Sequence, residues 1–367
     1  MKCAIYLYCI TPHWVPLCDE MLQRMGEAEC KVIYLNEISV ARSRIGWNEK
    51  TSSRFHKVSS NAEQCKRWLY ESDNLLCEVR DAKLFEARSR QGLKTFYTSE
   101  RWFKPRFGMW RLLHPTFVRT ALKIGNLLNR DPNFTYLPVG IYAAEDMYRL
   151  MMIARGKISY FFRGLSLAFE AKPGGVVDRS DKINMWAYFV KSRTNNMMLC
   201  DGNETRRRIL WVGRLLKLKH VDDIIHAVQI LNRKFGMNFI LDIVGSGPDE
   251  KRLKAVASSI KGISFKPPVT NDEVRRLMSD YQIYILSSDA REGWGAVVGE
   301  ALEEGMLVLG TKEAGASATQ LPKPCLYKAG DVNALCGLLL NSDSMPIPGI
   351  GHWTPAEAST WLLGKMA

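Results

Sequence analysis

Short apolar runs alternate with longer stretches of helical periodicity along most of the chain. The second half is the more regular. Ile209–Gly213 is an apolar run ending in glycine, followed by an amphipathic stretch over Val221–Lys234. Phe239–Val244 is again strand-like, with a polar helical pattern over Asp249–Lys261 behind it. Ile263–Phe265, a helix from Asn271, the run Tyr281–Leu286, a helix over Ala296–Glu304, a strand over Met306–Gly310 and a helix over Asp331–Asn341 complete the series. Alternation of this kind predicts βαβ units and a parallel sheet. The first half alternates less regularly. Cys3–Ile10, Lys31–Leu35, Asn74–Val79, Lys94–Thr98 and Phe134–Leu137 read as strands. Cys18–Ala28, Ala82–Gly92, Pro115–Leu128 and Tyr142–Arg155 read as helices.

A chain of 367 residues holds two domains at the usual ~100–200 residues each. Lys172–Asp178 reads as a loop, and the polar run Lys191–Arg208 as the domain boundary. The division expected is 1–192, 193–350 and a C-terminal helix within 351–367, with Pro355–Lys365 packing back on the first domain. At 46% hydrophobic and 24% charged residues the chain is ordinary globular material, so disorder, collagen and coiled coil are excluded. No run approaches the ~18 apolar residues of a membrane span. The apolar opening Cys3–Ile10 runs into Thr11-Pro12, which suits a first buried strand and not a signal peptide. Nine scattered cysteines without a Cys-x-x-Cys pair suit core thiols in a reducing compartment. A cytoplasmic chain is expected.

The formal net charge of +13 favours an anionic partner. The cations gather in Arg101–Arg119, Arg206–Arg208 and Arg214–Lys219. They form no single stripe and accompany no DNA- or RNA-binding motif, which argues against nucleic acid. Arg206–Arg208 reads as a solvated linker face. The basic, aromatic stretch Trp102–Arg119 suits an anionic membrane surface or core packing equally.

The chemistry concentrates in the loops after the strands of the second half. Gly213-Arg214 and Lys219 follow the first strand, Gly245-Ser246-Gly247 the second, and Ser287–Gly295 the fourth. All should meet at the carboxyl edge of one sheet. That edge combines two cations, accessible glycine amides, Glu292 in a loop and Glu300 about 6 Å along a helix. Amides and cations suit phosphate, and carboxylates suit the vicinal hydroxyls of sugars. A lone Gly-x-Gly is a weak dinucleotide signal, so Gly245-Ser246-Gly247 reads first as a structural turn.

These stretches resemble the donor-binding domain of the retaining glycosyltransferases of family 4. The matching residues are Val212-Gly213-Arg214-Leu215 with Lys219, Ile243–Pro248, and Glu292-Gly293-Trp294-Gly295 with Gly299-Glu300-Ala301 and Gly305. The Glu-x7-Glu frame between an Arg…Lys pair and a trailing glycine is the specific part. In the first half, Ser99–Pro105 and Trp186–Val190 resemble segments of members that build bacterial surface polysaccharides. The resemblance implies an α/β GT-B fold, two Rossmann-like doubly wound domains facing a cleft. It implies that Arg214 and Lys219 hold a donor diphosphate, that Glu292 touches the donor sugar, and that Glu300 binds the ribose. Gly213, Gly245, Gly293, Trp294 and Gly295 complete the substrate contacts. The implied reaction is that of a retaining hexosyltransferase: a sugar passes from a nucleotide-diphosphate donor to a glycan hydroxyl. No metal or other cofactor is implied, and no Asp-x-Asp occurs in the chain.

This sequence departs from the family's pattern at Trp294 (usually Phe), His220 (usually Gly) and Met306 (often Pro), and in Thr11–Pro16, which replaces a glycine-rich loop. His13, after the first strand, is a candidate for the acceptor side beside His56 and His114, although a lone histidine is more often structural. A lipid-linked glycan acceptor at the inner membrane face would suit the charge. The alternatives are a sugar-nucleotide epimerase or hydrolase on the same fold, and, less favoured, a nicotinamide dehydrogenase or a nucleic-acid-binding protein.

Overall fold

The computed structural model describes residues 1–39, 52–103, 114–157, 207–349 and 353–367. By their contacts they form two units. The first is drawn from Met1–Ile38, Glu49–Lys191 and His352–Ala367, the second from Ser39–Asn48 and Ser192–Gly351.

In the first unit β1 (Cys3–Cys9), α1 (Val15–Glu29) and β2 (Cys30–Asn36) make the opening βαβ turn. β3 (Phe55–Lys57), α2 (Ala62–Glu71), β4 (Asn74–Cys77), α3 (Ala82–Arg90), β5 (Lys94–Ser99), α4 (Pro115–Arg130), β6 (Phe134–Pro138) and α5 (Ile141–Ala154) follow. The sheet is parallel, in the order β3-β2-β1-β4-β5-β6. Its strands are apolar and buried because helices cover both faces of such a sheet. Helix starts follow their caps: Asp81 accepts the amides of Lys83 and Leu84 at 3.1 and 3.0 Å. The terminal helix of the chain, Pro355–Met366, begins at a reciprocal Thr354/Glu357 cap and packs on α1. Arg24 there donates to the Thr360 hydroxyl at 2.7 Å, and Lys94 to the carbonyl of Lys365 at 3.1 Å.

The second unit repeats the scheme. β7 (Arg208–Val212), α6 (Val221–Lys234), β8 (Ile240–Val244), α7 (Glu250–Ala257), β9 (Ile263–Lys266) and α8 (Asn271–Met278) run in one direction from the centre. β10 (Ile283–Leu286) then pairs on the other side of β7, and α9 (Val297–Glu303), β11 (Leu307–Thr311), α10 (Gly315–Gln320), β12 (Leu326–Tyr327) and α11 (Val332–Leu340) lead away from it. The order is β12-β11-β10-β7-β8-β9, all parallel. The chain reverses direction between β7 and β10, and ligands of open α/β sheets bind at the carboxyl edge beside such a switch point. Both units are thus Rossmann-like, and the expected α/β class holds.

Several elements differ from the sequence reading. β3, α2, α10 and β12 carry too little apolar patterning to stand out, and the helix expected over Asp249–Lys261 stops at Ala257. Trp102 is fully buried. Its indole donates to the Ser99 hydroxyl at 3.0 Å, and its ring packs on Phe117 with the Arg80 guanidinium 3.6 Å from its centroid. Asp146 accepts the amides of Trp102 and Phe103 at 2.7 and 2.9 Å, which fixes this segment in the core. Trp102 is therefore withdrawn from any membrane-facing surface. Arg207 is also engaged, pairing with Asp343 at 3.0 Å, while Arg208 lies over the Tyr281 ring. The loop Lys172–Asp178, the segment Trp186–Val190 and most of the expected boundary lie outside the described residues, as do Lys104 to Gly108 and Trp110. Among the described residues no helix is long and apolar enough to cross a membrane.

One buried cation ties the first unit together. Arg88 is 0% exposed, and its guanidinium donates to the carbonyls of Leu69 and Lys94 at 2.8 Å and to the Thr95 hydroxyl at 3.1 Å. Burial draws its pKa down to about 10, so it stays charged at neutral pH. Arg88→Met would strand those carbonyls, and chemical denaturation should register a loss of about 3 kcal/mol. An unchanged midpoint would mean that water replaces the guanidinium there.

Candidate active site

The two strands flanking the switch point in the second unit deliver the principal side chains. After β7 the chain makes a tight turn, Lys217–Lys219, before α6. After β10 it runs through Ser287–Gly295 before α9. Backbone bonds join the two loops: the Asp289 amide donates to the Leu218 carbonyl at 2.9 Å. The Lys219 ammonium consequently meets the Glu292 carboxylate directly, and both side chains are mostly shielded, at 17% and 14% exposure. The Ser288 hydroxyl donates to the same carboxylate oxygen at 2.8 Å. Glu292 and Lys219 stand 73 residues apart in sequence and are brought together only by the strand order.

Glu300 lies on α9, 2% exposed, where the Asn271 amide donates to its Oε1 at 2.8 Å. The buried Tyr284 phenol on β10 is pushed well above its usual range, first by burial and then by the charges of Glu292 and Glu300. Both carboxylates therefore act on one region beside β10. Arg214 is exposed and makes no ion pair among the described residues, leaving its guanidinium available at the same edge.

The glycines support this edge from behind. The Gly213 amide donates to the Val244 carbonyl at 3.1 Å, and the Leu215 amide to the Ser246 carbonyl at 2.9 Å. A Cβ on Gly245 would stand 1.9 Å from the Gly213 carbonyl oxygen, and one on Gly247 would be 2.3 Å from that of Leu215. Only bare backbone lets the two loops lie this close. Trp294, expected among the substrate contacts, is 2% exposed, and its ring lies against Gly315 while its carbonyl accepts the Ala316 amide at 2.9 Å. Its indole supports the loop from inside. Gly293 is buried beside it and Gly295 is partly exposed. Gly305 has φ +75° and ends the α9 turn, as its place in the motif suggested.

His13 belongs to the first unit. It is buried at 5% exposure in the turn after β1, beside the switch point of that sheet between β1 and β4. His56 sits on the edge strand β3 against Trp68, and His114 is exposed before α4. Sequence reading missed Asn271, Ser288 and Asp289, polar residues that reveal themselves only through their contacts with the carboxylates and loops. His220 is the one described non-glycine residue with positive φ, at φ 47° and ψ 42°. That conformation costs a side chain ~1–2 kcal/mol and explains why glycine commonly stands there in the proteins this segment resembles.

With this geometry in view, likenesses to known proteins bear on the class of chemistry. Residues 201–321, about a third of the chain and most of the second unit, match the family model described as Glycosyl transferases group 1. The two Rossmann-like units have the GT-B fold, and the family match together with the fold supports glycosyl transfer as the class of chemistry. Among individual proteins, the UDP-N-acetylglucosamine–peptide N-acetylglucosaminyltransferase GtfA subunit of Streptococcus pneumoniae serotype 4 is 25% identical over 114 residues, 30% of this chain and 22% of that protein. The aligned stretch thus spans about a fifth of that relative's length. The lipopolysaccharide outer core galactosyltransferase WaaB superimposes with a TM-score of 0.59 at 13% identity, covering 100% of this chain and 95% of that one. Alr3699/HepE of Anabaena, solved with UDP, gives 0.59 at 13% identity, covering 100% and 96%.

The close approach at Gly245 makes a direct prediction. Gly245→Ala should destabilise the second unit by about 3 kcal/mol, read as a lowered denaturant midpoint, since φ is +144° and the new methyl has no space. Wild-type stability in this variant would show that the two loops can separate without cost.

Proposed function

We propose that the protein is a retaining hexosyltransferase that moves a sugar from a nucleotide-diphosphate donor to a glycan hydroxyl. The observation that carries this reading is the Lys219–Glu292 pair at the switch-point edge, with Arg214 exposed after the same strand and outside any ion pair among the described residues. An incoming diphosphate exchanges one anionic partner of Lys219 for another. It draws the ammonium to itself and leaves Glu292 to accept hydrogen bonds from sugar hydroxyls. Arg214 adds a second cation, and the loop amides of Gly293–Gly295 lie at the same edge. Glu300, held by Asn271, would accept from the ribose hydroxyls.

The chemical step asks these groups to offset the charge that develops on the departing diphosphate. Protein cations supply it, so the reaction is expected to proceed without a metal. The names of two relatives support UDP as the leaving nucleotide: one uses UDP-N-acetylglucosamine and one was solved with UDP. The acceptor is proposed to be a glycan or a lipid-linked glycan, as suits a net charge of +13 and a likeness to a lipopolysaccharide galactosyltransferase. On this reading the chain works in the cytoplasm, peripheral to the inner membrane face, with His13 on the acceptor side.

The test is a thermal-shift panel of UDP, GDP and ADP with and without EDTA, followed by transfer assays with the sugar conjugates of whichever binds. A nucleotide at 100 times its Kd should add ~2.7 kcal/mol regardless of EDTA. Lys219→Ala and Glu300→Gln should each fold and lose on the order of 100-fold in kcat/KM. Full activity in both variants would contradict the reading. Donor consumption that ignores every glycan acceptor would favour a hydrolase on the same fold.

A further inference from the structure

His220 follows Lys219 directly and occupies the left-handed conformation described above, so the chain retains a side chain where glycine would sit without strain. That side chain has two partners. Its Nδ1 lies 3.4 Å from the Asp223 carboxylate on α6, and its Nε2 lies 3.3 Å from the Asp289 carboxylate in the Ser287–Gly295 loop. Carboxylates only accept, so an imidazole with one on each nitrogen satisfies both only as the imidazolium, with two N–H donors. Each partner is itself anchored. Asp223 accepts the Gly330 amide at 2.9 Å, and Asp289 takes the Arg291 guanidinium at 2.6 Å.

We propose that His220 is a positioning residue of the donor site, a bridge from Asp223 to Asp289 that holds the Lys219 turn against the Ser287–Gly295 loop and so keeps Lys219 and Glu292 placed for a donor diphosphate. The proposal rests on the donor reading above and adds a residue to it that touches no substrate. The bridge runs parallel to the Lys219–Glu292 contact, which a diphosphate would disrupt, and so keeps the two loops joined when that contact is given up. It also adds a positive charge next to Lys219.

The bridge titrates. The groups around His220 are Asp223, Asp289, Arg291, Lys219 and Glu292, together with the Tyr327 phenol beside Asp223. Hydrogen bonding to Asp223 and the charges of Asp223 and Asp289 outweigh burial and raise the His220 pKa. Burial pushes Asp289 up, but Arg291 and His220 together bring it below its ordinary value. A raised histidine pKa means that the bridge is complete below the usual histidine value and is lost as pH rises through the shifted one. Diphosphate affinity should fall over the same interval.

The experiment is titration calorimetry of UDP against the full chain and against His220→Gly and His220→Asn, from pH 6 to 9, with the Tm of each recorded. Glycine and asparagine both tolerate the left-handed conformation, so both variants are expected to fold. At pH 6 His220→Gly should bind UDP about tenfold more weakly than wild type, the usual scale for an outer partner of a binding group, and its alkaline fall beyond that of UDP itself should vanish. Asparagine, which can bridge without charge, should recover part of the affinity and none of the pH dependence. Asp289→Asn, read by NMR of the imidazole, should lower the His220 pKa. Wild-type affinity and pH profile in His220→Gly would overturn the proposal while leaving the donor reading intact. If wild type binds none of UDP, GDP and ADP, the donor reading fails and takes this inference with it.

Discussion

Lys219 and Glu292 are opposite charges held together in a partly shielded place, and much of the second unit is arranged so that they can meet. Removing either from water is costly unless the other is present, so the pair is strongly coupled to the loops that carry it. Those loops come from β7 and β10, neighbours in the sheet although they are three strands apart in chain order. Backbone bonds then stitch the β7 loop to both the β8 loop and the β10 loop, and the bare backbones of Gly245 and Gly247 permit that approach. A site built this way is stiff in its frame and exchangeable in its charges. In the proposed reading an anion replaces Glu292 as the partner of Lys219 while the sheet stays as it is. In the proposed reaction that exchange is the binding event, and it frees a carboxylate where a sugar would lie.

The legibility of the fold followed the apolar content of each element. β1, β7, β10 and β11 are near-continuous apolar runs, as strands of a sheet covered on both faces must be. β3 is only Phe-His-Lys, and α2 buries just Cys65 and Leu69, so neither has the pattern that would announce it. α10 is built from Gly, Ala, Ser, Thr and Gln, small and polar residues whose burial depends on what packs above them. Trp102 shows the limit of composition most sharply. Basic and aromatic residues in sequence fit an interface or a core alike, and the decision came from Asp146, Ser99 and Arg80, residues on other elements.

The site was legible where its residues sit at fixed offsets within a loop and the next helix. Glu292, the glycines and Glu300 fall within one such frame, and their common edge follows from the βα order. Contacts across the fold were less visible. The i,i+3 relation of His220 to Asp223 can be read along a helix start, but Asp289 is 69 residues away and joins them only through strand order. Likewise Asn271 reaches Glu300 from α8, an element whose own sequence advertises only its Thr270–Glu273 cap. The role of Trp294 also needed the fold, because an aromatic residue within a binding motif can face the ligand or the core.

Hydrogen–deuterium exchange of the full chain with and without saturating UDP tests the central claim most directly, that the switch-point edge of the second unit holds the nucleotide diphosphate. Within that unit the account predicts slowed exchange at Gly213–Lys219 and at Ser287–Glu300, with little change in β9 and β12 at the sheet margins. Protection at those margins with none at the Lys219 turn or the Glu292 loop would contradict it.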